Sequence, residues 1–355
     1  MTTFLVQSDI NEIVQNMPIG ALDQFGGKHI LLTGGRGFLG RYFTAVFQYL
    51  NEGLLKERPV TLTIMDNLIS SGPEGSTMPS IKNMEFLQHD CTKPFPNVGK
   101  VDFILHAAGI ASPAHYRKYP LETLEVATIG LKNSLELARL NHGCRIAFFS
   151  SSEIYGDPDK LNIPTRESYR GNVACLGPRA CYDMSKRLGE TLVQIYHQQY
   201  GVHGTIIRPF NVYGPGMQKS DYRVLPNFGA RLMEGLPLQI YGHGDQTRTF
   251  CYVTDAIGGF LRVLLDGVPG EPYNIGNPSP EISMKALALE VARAIGRERV
   301  EFDVVNYPDT YPADEPNRRC PDISKAAQQL GYAPRVDLRD GLKRFFDWAN
   351  LAFTD

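Results

Sequence analysis

The sequence is short of the features that would mark a secreted, metal-binding or membrane protein. It has one tryptophan and only six cysteines in 355 residues. The cysteines, at 91, 144, 175, 181, 251 and 320, form no C-x-x-C spacing and stand at no metal-ligand interval from a histidine. That argues against a disulfide framework and against a metal site, and leaves them as small buried or half-buried side chains in a reducing compartment. No apolar run approaches the roughly 18 residues that a membrane span needs, and the N-terminus lacks a basic region followed by an apolar stretch and a cleavage site. Lys and Arg total 36 against 38 Asp and Glu, a net charge of -2 with no long run of one sign. A nucleic-acid footprint is therefore missing. Internal repeats and low-complexity linkers are missing as well. The expectation is a soluble, cytoplasmic protein that binds neither nucleic acid nor membrane.

What is present is the material for a large core: 43% of the side chains are hydrophobic, and the length suggests about two domains. Residues 9 to 17, "DINEIVQNM", place Ile10, Ile13, Val14 and Met17 on one helical face, with Asp9 and Glu12 spaced as a capping box. This predicts a short amphipathic helix that docks on the body or on a partner. "KHILLTGGRGFLGRYFTAVFQYL" then reads as a buried strand, a glycine turn and a helix, and "VTLTIMDN" as a second strand. "VDFILHAAG" and "CRIAFFSSS" repeat the pattern of a strand ending in small or polar residues, separated by the helical "LETLEVATIGLKNSLELARLNHG". Such alternation predicts an α/β fold, a Rossmann-type doubly wound parallel sheet with helices on both faces. From about residue 205 the chain becomes richer in proline and loops, which predicts a smaller interleaved C-terminal substrate lobe. A helix capped near Ser283 and a terminal one, "LRDGLKRFFDWANLAF", belong to it. The division expected is an extension over 1–26, a Rossmann domain over 27–208 with a returning segment near 245–265, and the lobe over 209–244 and 266–355.

The glycines at 34, 37 and 40 fall where a buried strand meets a helix. Gly34 suits the tight turn, Gly37 lets the backbone approach a diphosphate, and Gly40 permits close packing of helix on strand. A purely structural turn also uses glycine. Here the triad has the βαβ context and is followed by Asp66 at the end of the second strand, placed for a ribose hydroxyl pair. An acidic residue there disfavours the extra phosphate of NADP, so the cofactor expected is NAD. Phe38, Leu39, Asn67, Asp90 and Ala107 complete its expected contacts. The spacing G-x-x-G-x-x-G is similar to that of the short-chain dehydrogenase/reductase superfamily. "CYDMSKR" supplies Tyr182 and Lys186, four apart on one helical face. A phenol of pKa ~10 is a poor base at neutral pH, but an adjacent ammonium and a positive nicotinamide ring lower it. Tyr182 can then take a proton from a sugar hydroxyl as hydride leaves the same carbon. In "SSSEIYG", Ser151 or Ser152 is the hydroxyl partner, while Ser150 reads as structural.

With these pieces in order, the chain resembles the extended short-chain dehydrogenases that modify nucleotide-sugars, the NAD-dependent epimerase/dehydratase family, and within them the UDP-glucuronate decarboxylases. The resemblance covers roughly residues 27 to 350 and rests above all on "GPRACYDMSKRLGET", "SSSEIYGDP", "GHGDQTRTFCYVTD" and "RRCPDISKA". It implies that Ser152 and Glu153 stand beside the sugar ring, that Tyr182 is the base and Lys186 its activator, and that Arg319 lies near the sugar carboxylate. It also implies nucleotide and diphosphate contacts for Asn211, Arg223, Tyr241 and Arg248, a contact of Tyr116 near the glucuronate, and a homodimer. Read alone, Arg319 could be a surface ion pair and Tyr241 a core aromatic. Two departures stand out: Ala127 where the family typically has Asn, and Gly216 where it often has Arg. The N-terminal 26 residues lie outside the resemblance.

The reaction so implied oxidises C4 of UDP-glucuronate, loses carbon dioxide from the resulting β-keto acid, and returns the hydride to give UDP-xylose. Ser152 bears on the alternatives, because similar 4,6-dehydratases carry Asp immediately before the Glu to supply an acid. Glu153 argues against a 4-epimerase, which usually lacks it. A C4 oxidation without decarboxylation and a catalytically idle NAD-binding regulator are the remaining readings.

Overall fold

The computed structural model describes residues 5–71, 80–221, 223–306 and 316–353, the side chain of Ala114 excepted. Its frame is a seven-stranded, wholly parallel sheet. In chain order the strands are β1 (His29–Thr33), β2 (Thr61–Asp66), β3 (Met84–Gln88), β4 (Phe103–His106), β5 (Arg145–Phe149), β6 (His203–Pro209) and a last edge strand, Pro272–Ile275. In space they run Pro272–Ile275, β6, β5, β4, β1, β2, β3. The order reverses between β1 and β4, and a cleft opens there beyond the carboxyl ends of the strands.

Alternate residues of β5 divide between two cores: Ile146 and Phe148 face one side, Ala147 and Phe149 the other. The first side is covered by helices Leu131–Leu140 and Ala180–Tyr200 through Leu131, Leu135, Val193 and Tyr196. The second is covered by α2 (Phe38–Glu52) and the almost wholly buried helix Val253–Asp266, where Phe43, Phe149 and Phe260 meet in edge and tilted contacts. Burial on both faces explains why these strands read as near-continuous apolar runs.

The structure differs from the sequence reading in three places. The strand Pro272–Ile275 belongs to the main sheet, whereas its sequence position had put it in the second lobe. The first helix, α1 (Gln7–Gln15), begins after Val6 with no side-chain cap. Asp9 is therefore no capping residue. It is buried, accepting hydrogen bonds from Tyr42 (3.1 Å) and Tyr252 (3.0 Å), while Glu12 takes one from Thr254 and pairs with Arg344. Ile10, Ile13 and Met17 are buried, so α1 docks on the body, against α2 and helix Val253–Asp266. Third, the long helix predicted from residue 121 contains a π-turn at Val126–Gly130, between Pro120–Glu125 and Leu131–Leu140. The buried His106 holds it, its Nε2 donating to the Val126 carbonyl at 3.1 Å. Ser283 caps its helix as expected, accepting from the Ala286 amide.

Beyond the sheet, three short strands bring distant residues together. Thr247–Arg248 pairs antiparallel with Ile282–Ser283 and parallel with Arg318–Arg319, in a register that sets Arg248 beside Arg319.

Candidate active site

Two adjoining cavities fill the cleft and share Phe38, Leu39, Ala107, Met217 and Arg223. The cavity over the glycine turn also contains Gly34, Gly37, Gly40, Asp66, Asn67 and Asp90. Gly34 has φ +71°, and a Cβ on it would stand 2.6 Å from the Ala108 backbone. A Cβ on Gly40 would overlap the Gly34 carbonyl oxygen, so the helix closes on the turn only because Gly40 is bare. Gly37 opens α2 with ordinary backbone angles and no side-chain cap, leaving the first turn of the helix directed at the cavity. Asp66 is more occupied than the sequence suggests. Its Oδ2 accepts the Arg36 amide at 2.9 Å, and its Oδ1 accepts the Leu68 amide and the Ser71 hydroxyl. Asn67 and Asp90 each brace their own turn, through the amides of Ile69 and Thr92. A cradle that admits no Cβ, a helix N-terminus and a carboxylate at the second strand end fit a dinucleotide.

The second cavity holds the remaining expected residues. Tyr182 is buried, stacked on Tyr116 at 5.5 Å between ring centroids, and its phenol hydrogen-bonds to Ser151. Of the two serines left open, Ser151 is thus the one that meets the phenol, while Ser152 is buried beside it on the next turn. Ser150 points away to Glu190 at 2.5 Å, a structural bond. Burial pushes Tyr182 up to about 12, and the Ser151 bond works against that rise. Lys186 lies 5.6 Å from the Tyr182 ring centroid and donates to the Phe149 carbonyl at 2.7 Å; burial brings it down to about 8.

Glu153 and Arg319, 166 residues apart, meet here at 2.6 Å. Arg319 is buried, so the surface ion pair that its sequence position allowed is not formed. Its Nη1 lies 3.5 Å from Asn211 Oδ1. Asn211 has φ +40° and donates to the Thr249 carbonyl, a bond that aims its amide. Arg248 and Tyr241 line the same cavity, and Tyr241 is half-buried rather than a core aromatic. Arg223 stands where the cavities join, paired with Asp221 at 2.5 Å.

Two charged residues were missed. Arg179 and Asp183 flank Tyr182 at the start of its helix, both buried. Arg179 donates to the same Glu153 oxygen as Arg319, and its Nε lies 3.6 Å from Asp183 Oδ2. The signal was available in "GPRACYD": an arginine and an aspartate at i and i+4 share a helical face with each other. Nothing local announced that the face is turned inward.

The NAD dependent epimerase/dehydratase family model matches residues 30–276. UDP-glucuronic acid decarboxylase 6 of Arabidopsis thaliana is 41% identical over 315 residues, which is 88% of this chain and 86% of that protein. UDP-glucuronic acid decarboxylase 1 of Danio rerio is 36% identical over 329 residues, 92% of this chain and 74% of its own. Among solved structures, a dTDP-glucose 4,6-dehydratase from Streptomyces venezuelae with NAD bound superposes with a TM-score of 0.77 at 25% identity, covering 90% of this chain and 96% of that one.

Proposed function

This chain belongs to the NAD-dependent epimerase/dehydratase family, and from that membership together with the arginine–glutamate pair beside Tyr182 we propose that it decarboxylates UDP-glucuronate to UDP-xylose. Gly34, Gly37 and Gly40 would hold the diphosphate of NAD and Asp66 its ribose, and the bound nicotinamide would supply reversible hydride transfer at the sugar's C4. Tyr182 takes the C4 hydroxyl proton, with Ser151 orienting the phenol and Lys186 supplying a nearby ammonium. Oxidation at C4 leaves a ketone β to the C5 carboxylate. The bond from C5 to the carboxylate carbon then breaks, carbon dioxide leaves with its electrons entering an enolate, and a proton added at C5 restores the C4 ketone for the returning hydride, so no strong base is needed at C5. Glu153 and Ser152 stand against the ring.

The observation that carries this reading is Arg319, a buried guanidinium in the sugar cavity whose only carboxylate among the described residues is shared with Arg179. An always-charged fork suits a sugar carboxylate. Arg248, Tyr241, Asn211 and Arg223 supply the nucleotide and diphosphate side, and Tyr116 the glucuronate side. Serine at 152, in place of an acid, supports decarboxylation over dehydration. The test is a panel of nucleotide-sugars with product analysis by mass. Loss of carbon dioxide from UDP-glucuronate with transient NADH absorbance is expected. Loss of water from a 6-hydroxy sugar would make the chain a dehydratase, and an unchanged mass an epimerase.

We also propose a homodimer. Leu121, Leu124 and Ile129 on one helix and Leu188 and Ile195 on the neighbouring one are exposed, an apolar stripe on two packed helices. Light scattering would report it. No described helix is long and apolar enough to cross a membrane, and all six cysteines are unpaired, which supports placing the protein in the cytoplasm.

A further inference from the structure

Four ionisable groups meet beside the Tyr182 ring: the guanidiniums of Arg179 and Arg319 and the carboxyl groups of Glu153 and Asp183. Both guanidiniums bond one oxygen of Glu153, whereas Asp183, among the described residues, pairs only with the Nε edge of Arg179. With all four charged, the two positive and two negative groups cancel. The cluster is nonetheless unevenly satisfied. Asp183 Oδ1 is buried with no donor in reach among the described residues. Arg319 Nε is likewise buried without an acceptor. The first is a place where a proton is held at little cost, and the second is an unused arm for a further anion.

A sugar carboxylate arriving at Arg319 upsets this balance. With Arg248, beside Arg319 in the strand register, given to the diphosphate, three carboxylates would then face two guanidiniums among buried side chains, where an uncompensated charge is strongly disfavoured. We propose that Asp183 is the charge-compensating residue of the sugar site, taking up one proton when the carboxylate of an acidic nucleotide-sugar engages Arg319. This rests on the decarboxylase reading, because it requires an acidic substrate. A neutral hexose in the same position leaves the charge count unchanged and draws no proton.

The surroundings of Asp183 act in the required direction. Burial and the adjacent Glu153 push its carboxyl up to about 7, against the pull of Arg179 and Arg319. The other titratable groups beside it, Cys181 and Tyr182, are both raised and so neutral at pH 7. Asp183 is therefore poised to gain a proton, and a third carboxylate raises it further.

The test counts protons. A Tyr182→Phe background, saturated with NAD, binds without turning over; it is titrated calorimetrically near pH ~8 in buffers of different ionisation enthalpy. UDP-glucuronate is expected to draw most of one proton and UDP-glucose none, and adding Asp183→Asn should abolish the uptake while UDP-glucuronate still binds. Undiminished uptake in the Asp183→Asn variant would put the proton on Glu153 and overturn the assignment. The wild-type enzyme gives a second measurement that does not depend on the variant folding. Its KM for UDP-glucuronate should climb towards about tenfold per pH unit above pH ~7, because one proton is taken up per substrate bound. A flat KM across that range refutes the proposal. An enzyme that decarboxylates UDP-glucuronate without proton uptake loses this inference alone, whereas one that ignores UDP-glucuronate altogether loses the functional reading.

Discussion

Replacing Asp9 by asparagine should remove a specific part of the pH dependence of stability. Asp9 is fully buried on α1, bonded by the hydroxyls of Tyr42 and Tyr252 and 3.8 Å from Arg344. Burial outweighs those partners and lifts its carboxyl from 3.8 to about 6. The raised value belongs to the folded state, so between about pH 4 and 6 the folded chain keeps a proton that the unfolded chain has released. Stability is therefore fully present below that window and falls as pH rises through it. Two units at ~1.4 kcal/mol each give a loss of ~3 kcal/mol by pH 7. The substituted amide keeps an oxygen for the tyrosines and has no proton to lose. Whatever constant offset it introduces, the difference between Asp9→Asn and wild type should shift by ~3 kcal/mol in favour of the variant between pH ~4 and ~7. Trp348, the single tryptophan, lies on the same terminal helix as Arg344 and reports urea unfolding by fluorescence. A stability difference that stays constant over this range, or that favours the variant more at low pH, would refute the reasoning.

Other outcomes are expected from the site. Gly40→Ala forces α2 off the Gly34 carbonyl, so NAD affinity, measured by titration, should fall at least tenfold and stability by ~1–3 kcal/mol. Tyr182→Phe should lower kcat by ~10²–10⁴ with nucleotide-sugar binding unchanged, as expected for loss of a proton acceptor. Ser152→Asp should let the enzyme release water from a 6-hydroxy nucleotide-sugar, seen as a mass change. Wild-type dehydration of that sugar would remove the argument from Ser152. Ser150→Ala should cost ~1 kcal/mol in a denaturation curve and leave the reaction intact, because its hydroxyl is spent on Glu190.

Some of this architecture is legible residue by residue. The glycine turn could be read because Gly34 and Gly40 answer local steric demands that only glycine meets. The strands β1, β2, β4 and β5 carry uninterrupted apolar runs that mark them in the sequence, and "GTIIRPFNVYGPG" marks β6 as a strand ending in a Gly and Pro cluster. The two edge strands are not so marked. β3, "MEFLQ", is only partly buried, and Pro272–Ile275 is short and begins with proline, so neither carries the signal of a strand covered on both faces. Asp9 misled for a related reason. Its spacing from Glu12 matches a capping box, but the tyrosines that claim it lie on α2 and more than two hundred residues downstream.

The sequence by itself determined the parallel sheet, the NAD-type turn and the Tyr182–Lys186 pair, because each depends on neighbours within a few residues and on periodicity that the chain carries along its length. The tertiary structure alone decided which carboxylate meets which arginine. Glu153, Arg179, Asp183 and Arg319 come from three segments whose juxtaposition is set by strand register and by a lobe folding back over the sheet. Whether their charges cancel, and which of them holds a proton, follows from burial and distance, and neither quantity exists until the chain is folded.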